Sequence, residues 1–323
     1  MKLASHQGFI NIEIVPFGTI YTRLPGAFLP LVKTSTFMLE HTPVIRNLCD
    51  SLYIWLKKPG DERAKRSCVN LATHHQLHGS TSVVIPCHNE QMNIPALVEA
   101  MTQTYGDYLH EIIIVNDNST DQTAEVTREL SACNPRLKLI NRSHPNGVGR
   151  ALKDGYAAAT GRYILTMDCD FVHIVPELRD LFDEIAKGRD GAIGSRFSME
   201  SVLINYPFAK VLCNRGCHAL IRLFLPVRVR DVSNNLKLFR SEILKGLEIE
   251  ENDFAANMET GLKPILSGYD IREVPISWIN RTIAMGASSF KLLKVAPQYL
   301  SVLIRIIFDV YRGKKNFVRE VES

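Results

Sequence analysis

From Ser82 onward, short β-branched runs alternate with segments of helical period. Ser82–Pro86, Glu111–Asn116, Leu137–Asn141, Tyr163–Asp168 and Gly191–Ser195 are the predicted strands. Helices are predicted between them near Ile94–Thr104, Thr120–Cys133, Gly147–Ala159 and Glu177–Lys187. Continuous apolar runs such as Ile112-Ile113-Ile114-Val115 suit strands covered on both faces. The alternation predicts an α/β fold with a mostly parallel sheet flanked by helices. Ligands bind such sheets at the carboxyl ends of the strands. That is where the polar residues of this stretch collect.

The flanking segments break the rhythm. Gly8–Gly18 reads as a strand entering a turn, and an apolar, helix-prone stretch follows as far as Lys58. Residues 59–80 are polar, charged and rich in histidine (His74, His75, His78), which predicts a solvated linker rather than a metal site. At the other end, Lys291–Arg312 is an amphipathic helix whose apolar run is interrupted by Arg305 and Asp309. It lacks the twenty or so largely apolar, uncharged residues that a spanning helix needs. Two placements satisfy this pattern: the surface of a membrane, or the protein's own core or a dimer partner. The expected organisation is an extension at 1–58, a linker at 59–80, an α/β domain at 81–290, and a C-terminal helix and tail at 291–323.

Polar signals fall at the predicted strand ends in order. Pro86-Cys87-His88-Asn89-Glu90 follows the first strand, and Asn116-Asp117-Asn118-Ser119-Thr120-Asp121 follows the second. Asp168-Cys169-Asp170 ends the strand that begins at Tyr163. Two carboxylates one residue apart repel unless a cation sits with them. They suit Mg²⁺ or Mn²⁺, which would also hold a diphosphate. A buried strand should not deliver two charges to its tip without such a partner. Asp117 is positioned to accept hydrogen bonds from a nucleobase or ribose, and Ser119 to cap the helix that follows.

This ordered set resembles the family-2 glycosyltransferases of GT-A fold, and within them the dolichyl- or polyprenyl-phosphate sugar synthases. The likeness runs from Thr81 to about Lys291. It includes Gly194-Ser195-Arg196-Phe197, Asn214-Arg215-Gly216, Asp231-Val232-Ser233-Asn234-Asn235-Leu236-Lys237, Met258-Glu259, and Glu273-Val274-Pro275 leading to Arg281. The resemblance implies that Pro86, His88, Glu90, Val115 and Asp117 receive the nucleoside. It implies that Asp168, Cys169 and Asp170 hold the diphosphate, with Asp168 and Asp170 as metal ligands. Arg196, Arg281 and Lys291 would serve the donor phosphates, and Arg196, Arg215 and Asp231 the acceptor. Residues 1–58 resemble the closing piece of a class I methyltransferase domain but lack its cofactor loop, so no methyl transfer is expected.

Departures from the family pattern bear on the acceptor more than on the donor. Val172 stands where relatives carry Gln or Ser, and Lys237 replaces an Arg, keeping the charge without the bidentate fork. Gly286-Ala287-Ser288-Ser289 stands in place of the family's Gly-Glu-Ser-Lys. The implied reaction is inverting hexosyl transfer from GDP-mannose or a UDP-hexose to a polyprenyl or dolichyl phosphate, with Mg²⁺ or Mn²⁺. A glycan or glycolipid hydroxyl as acceptor would need a general base, for which Glu259 is the candidate. A catalytically dead nucleotide-sugar-binding protein is the alternative from another class.

Composition narrows the setting. At 323 residues, 46% hydrophobic and 22% charged, the chain is an ordinary globular one. A formal charge of +4 without a basic–aromatic stripe excludes nucleic acid as the expected partner. Seven scattered cysteines without CxxC spacing, and no export-signal pattern, predict a reduced, cytoplasmic setting. Lipid-linked acceptors would bring the protein to the cytoplasmic face of a membrane. The apolar C-terminal helix leaves a homo-oligomer open.

Overall fold

A computed structural model describes residues 10–17, 51–57, 70–198, 200–204, 206–279 and 292–319. In chain order the elements are β1 (Ile10–Phe17), β2 (Ser51–Lys57), β3 (Thr81–Cys87), α1 (Ile94–Tyr105), β4 (Leu109–Asp117), α2 (Thr123–Cys133) and β5 (Leu137–Arg142). There follow α3 (Val148–Ala158), β6 (Tyr163–Thr166), a 3₁₀ segment (Phe171–Leu178), α4 (Arg179–Ala186), β7 (Gly191–Ser195), β8 (Leu203–Ile204) and α5 (Phe208–Phe224). The last are β9 (Lys237–Arg240), α6 (Ser241–Gly246), α7 (Ala256–Leu266), β10 (Ile271–Pro275), β11 (Trp278–Ile279) and α8 (Leu292–Tyr311).

Seven strands form the main sheet in the order β10-β7-β9-β6-β3-β4-β5. β6, β3, β4 and β5 run parallel, as do β7 and β10, while β9 is antiparallel to both of its neighbours. Every predicted strand is present. Val83, Val84, Ile85 and Ile112–Val115 are fully buried because helices cover both faces. Each such side chain contributes about 1.5–3 kcal/mol of burial. On one face α3 lies against β3 and β4, so close that a Cβ on Gly155 would stand 2.4 Å from Val84 Cγ1. Any side chain there would push α3 off the strands that carry the site.

Three expectations are corrected. Ser51–Lys57, within the stretch predicted as helix-prone, is a strand paired antiparallel with β1, and its alternating Leu52, Ile54 and Leu56 suit a strand of period two. The predicted linker ends earlier than residue 80. From Asn70 the chain is docked on the domain, with Leu71 and Leu77 buried in the core and His74 Nε2 2.7 Å from Asp183 Oδ1. Ser119 does not cap α2; its hydroxyl accepts from the Asn89 amide at 2.9 Å, and Asp121 Oδ1 receives the Thr123 amide instead.

The predicted C-terminal helix is present as α8. Val302, Leu303 and Ile306 pack against Ile221, Met258 and Leu262, while Leu300, Ile304, Phe308 and Tyr311 are exposed. Among the described residues no helix is long and apolar enough to cross a membrane.

Glu111, at the start of β4, ties the parallel strands together. Its Oε1 accepts from Ser82 Oγ (2.7 Å) and from the Thr160 amide and hydroxyl (2.7 and 2.8 Å), and Lys138 Nζ lies 2.6 Å from Oε2. Burial alone would raise its pKa, but these donors favour the ionised form and hold it down at about 2. Its stabilising effect is therefore present above the unfolded value near 4.5 and is lost as pH falls toward 2. Glu111→Gln should lower stability at pH 7 by about 1–3 kcal/mol. In urea titrations that deficit should shrink at pH 3; a deficit independent of pH would contradict this role.

Candidate active site

The carboxyl ends of β3, β4 and β6 open into one cavity of about 450 Å³. Pro86, His88, Glu90 and Asp117 line it from the loops after β3 and β4, and Asp168, Cys169 and Asp170 from the turn after β6. Arg196, Tyr206, Lys210 and Trp278 add to the wall, as do Cys213, Cys217 and Leu220 of α5 and Leu300 of α8. The lining thus combines acidic, basic and apolar side chains.

In the loops after β3 and β4 the backbone turns sharply. Asn89 and Asn118 take left-handed conformations (φ 58° and 52°), which asparagine tolerates better than most residues. Asn89 Oδ1 accepts from the Thr120 and Asp121 amides, joining the loops after β3 and β4. His88 Nδ1 donates to the Asp117 carbonyl at 2.9 Å. The Asp117 carboxylate is engaged by the Arg142 guanidinium and, through Oδ2, by the Gly147 amide at 2.7 Å. A Cβ on Gly147 would stand 2.3 Å from the Asn252 carbonyl oxygen, so glycine is required for this approach. Val115 lies in the core behind the pocket rather than on its wall.

β6 ends at Thr166, two residues before its predicted end, and the chain turns so that Asp168 and Asp170 both reach the cavity. Asp168 Oδ1 accepts from Asn235 Nδ2 at 2.7 Å. Two hard oxygen donors on one turn, with Glu90 and Asp117 elsewhere on the wall, suit a divalent cation. Among the described residues no three His, Cys, Asp or Glu side chains converge on one point. Asp168 and Asp170 are the residues that could hold Mg²⁺ or Mn²⁺ here. Cys169 faces Cys87, and their thiol–thiol contact together with burial raises the Cys169 pKa.

Arg196 is buried and grips Asp231 with two parallel bonds, Nε to Oδ2 at 2.7 Å and Nη2 to Oδ1 at 2.9 Å. Its guanidinium carbon lies 5.3 Å from the Trp278 ring centre, 5.6 Å from Phe197 and 5.9 Å from Tyr206. Asp231 is an ion-pair partner of Arg196, not a cavity residue. Arg215 is exposed over Phe197 and does not line the cavity.

Glu259 is not brought to the site either. It is fully buried, 2.7 Å from Lys263 and 2.9 Å from Arg305, and its other oxygen accepts from the Glu251 amide. This face of α7 turns toward α8, which explains why an acidic residue in matching sequence context lies away from the cavity. Arg281 and Lys291 lie outside the described residues.

Sequence reasoning missed Arg142, Lys210 and Asn257. Arg142 is revealed by the strand pairing, in which it stands opposite Asp117 in the β4–β5 register. Lys210, a single lysine in an apolar helix, left no signal; it is half-buried beside Arg196, and burial followed by that guanidinium lowers its pKa. Lys237 is wholly buried, and its ammonium donates to the carbonyls of Asn234 and Asn257. Burial lowers its pKa to about 7 against the opposing pull of Asp231 and Asp168.

The family profile of Glycosyl transferase family 2 matches residues 82–247. A dolichol-phosphate mannosyltransferase of Pyrococcus furiosus is 32% identical over 229 residues, which cover 70% of this chain and 63% of that protein. The match therefore spans less than two thirds of the length of that relative. A polyprenol monophosphomannose synthase of Mycolicibacterium smegmatis is 27% identical over 65% of this chain and 81% of its own length. Among solved structures, glucosyl-3-phosphoglycerate synthase of Mycobacterium tuberculosis, crystallised with Mn²⁺, UDP-glucose and phosphoglyceric acid, shares the fold. The TM-score is 0.57 at 17% identity, over 78% of this chain and 86% of that one. With the sheet order, the acidic turn after β6 and a matched profile over half its length, the chain belongs to glycosyl transferase family 2 and has the GT-A fold.

Proposed function

We propose that the protein moves a hexosyl group from a nucleotide sugar to a lipid phosphate, with inversion at the anomeric carbon. One observation carries this reading: a single cavity is lined both by the carboxylates at the sheet edge, with Arg196 and Lys210, and by Leu220 and Leu300 of the packed helices α5 and α8. The names of the Pyrococcus and Mycolicibacterium relatives, which specify dolichol phosphate and a polyprenol monophosphate product, support the same acceptor class.

In this scheme the nucleoside of GDP-mannose or a UDP-hexose lies against Pro86, His88 and Glu90, near Asp117. A divalent cation held by Asp168 and Asp170 would neutralise charge on the departing diphosphate. The acceptor phosphate sits at Lys210, with Arg196 adding positive potential from behind its Asp231 partner. Its oxygen attacks the anomeric carbon as the bond to the diphosphate breaks, releasing the nucleoside diphosphate. An ionised phosphate needs no general base, which agrees with Glu259 being consumed in a buried ion pair.

The lipid would leave along the apolar lining. Leu220 and Leu300 belong to the cavity wall, and Leu223, Phe224, Ile304 and Phe308 are exposed apolar surface on the same two packed helices. Arg222, Arg312 and Lys315 are exposed on or just beyond the same helices. Apolar residues flanked by basic ones suit the surface of an anionic membrane.

Three measurements test the reading. Asp168→Asn and Asp170→Asn should each lower Mn²⁺-dependent turnover at least about a hundredfold, the cost of some 2.7 kcal/mol of transition-state charge stabilisation. Wild-type rates in both variants would remove the metal site. Lys210→Ala should raise KM for polyprenyl phosphate about tenfold or more while leaving KM for the donor nearly unchanged, because a charge-assisted pair contributes about 1.5–3 kcal/mol. An equal effect on both substrates would move Lys210 to the donor. Finally, Ile304→Glu with Phe308→Glu should reduce co-sedimentation with phosphatidylserine vesicles, while donor hydrolysis in their absence persists; unchanged sedimentation would take α8 off the membrane.

A further inference from the structure

Asn235 is buried, 2% exposed, in the loop that leads into β9, and its two polar side-chain atoms are treated differently. Nδ2 donates to Asp168 Oδ1 at 2.7 Å. The side-chain oxygen is closed off from water and has no hydrogen-bond partner among the described residues. A buried acceptor without a donor is destabilising, and an apolar side chain of the same shape would avoid that cost. Packing alone therefore gives no reason for a carboxamide at this position. The bond to the Asp168 carboxylate does.

That amide has one workable orientation. Turned over, its oxygen would face a carboxylate that can only accept. The loop around it is pinned on both sides. Asn234 Nδ2 donates to the Gly194 carbonyl at 2.7 Å, and the Gly194 amide donates to the Leu236 carbonyl at 3.0 Å. Lys237 Nζ, wholly buried, donates to the carbonyls of both Asn234 and Asn257. Asn235 thus presents its N–H from a fixed frame. Asp168, by contrast, lies beyond the end of β6 at Thr166, on a turn at the cavity where no strand pairing aims its side chain. Carboxylates that bind a cation are oriented by hydrogen bonds from the residues behind them, and removing such a partner weakens metal binding by about ten- to a hundredfold.

We propose that Asn235 is a positioning residue for the metal site, its N–H fixing the Asp168 carboxylate so that Asp168 and Asp170 are preset for one divalent cation. The inference rests on the metal-assisted transfer proposed above. The unpaired oxygen is then the stability cost of a preset ligand, and stability and metal affinity should part at this residue.

Asn235→Leu keeps the shape of the side chain and removes both polar atoms, while Asp168, on the cavity wall, can still turn to water. In the full chain with UDP or GDP, the dissociation constant for Mn²⁺, read from the electron paramagnetic resonance signal of the free ion, should rise at least about tenfold. Nucleoside diphosphate binding in EDTA should be unchanged, and the thermal midpoint should not fall. A merely structural residue gives the reverse, a lower midpoint with wild-type Mn²⁺ affinity, and that result would overturn the proposal. Asn235→Ala decides by the same measurement if the leucine variant does not fold. If the wild-type protein takes up no Mn²⁺ with either nucleotide, the metal site and this inference fall together. Absence of hexosyl transfer by the wild-type protein, with the Mn²⁺ shift intact in the variant, would overturn the proposed function and support the positioning.

Discussion

The parallel register of β6, β3 and β4 is the constraint on which the site depends. Val84 stands opposite Thr166 on one side and Ile113 on the other, so all three strands run out at the same edge of the sheet. Parallel strands require crossover helices, and those helices cover both faces with apolar side chains. Only the edge remains for polar chemistry. Glu90, Asp117, Asp168 and Asp170 come to one cavity because their strands end together, although 80 residues of chain separate the first from the last.

Positive charge in the cavity is arranged differently from negative charge. Arg196 is the best-placed guanidinium, yet its Nε–Nη2 edge is committed to Asp231 and its Nη1 donates to the Tyr206 hydroxyl. Such a pair resists removal of either partner, because the survivor would be a buried, uncompensated charge. Its site role is therefore a fixed field, reinforced by the faces of Trp278, Phe197 and Tyr206. Lys210, on the cavity wall at the start of α5, has the flexible stem needed to meet an incoming anion. Glu259 follows the same logic in reverse: an acid in a matching motif, neutralised by Lys263 and Arg305, holds α7 to α8 rather than taking a proton.

The cavity lining is drawn from different layers. Its acidic residues belong to the sheet edge, where parallel strands supply polar loops. Its apolar residues come largely from α5 and α8, which pack with α7 around Ile221, Met258, Leu262 and Ile306. α8 takes one of the placements that its sequence leaves open, against the protein's own core. One face is buried against the protein, and the other exposes Leu300, Ile304 and Phe308.

Much of this molecule is legible in its amino-acid order. Periodicity alone yields the five strands and four helices between Ser82 and Lys187–Ser195, since buried parallel strands are written as unbroken apolar runs. The Asp168-Cys169-Asp170 turn at the cavity is also legible, because two carboxylates at the tip of an apolar strand mark the place where the buried strand meets a polar site. Pairing partners are not legible, because they depend on which faces meet after folding. Only the tertiary structure decides that Arg196 belongs to Asp231, that Glu259 is an interior ion-pair residue, and that Ser51–Lys57 pairs as a strand. It likewise brings Lys210, Asn235 and Asn257 to one cavity from three separate segments, and no local pattern in the chain records a convergence made across such distances.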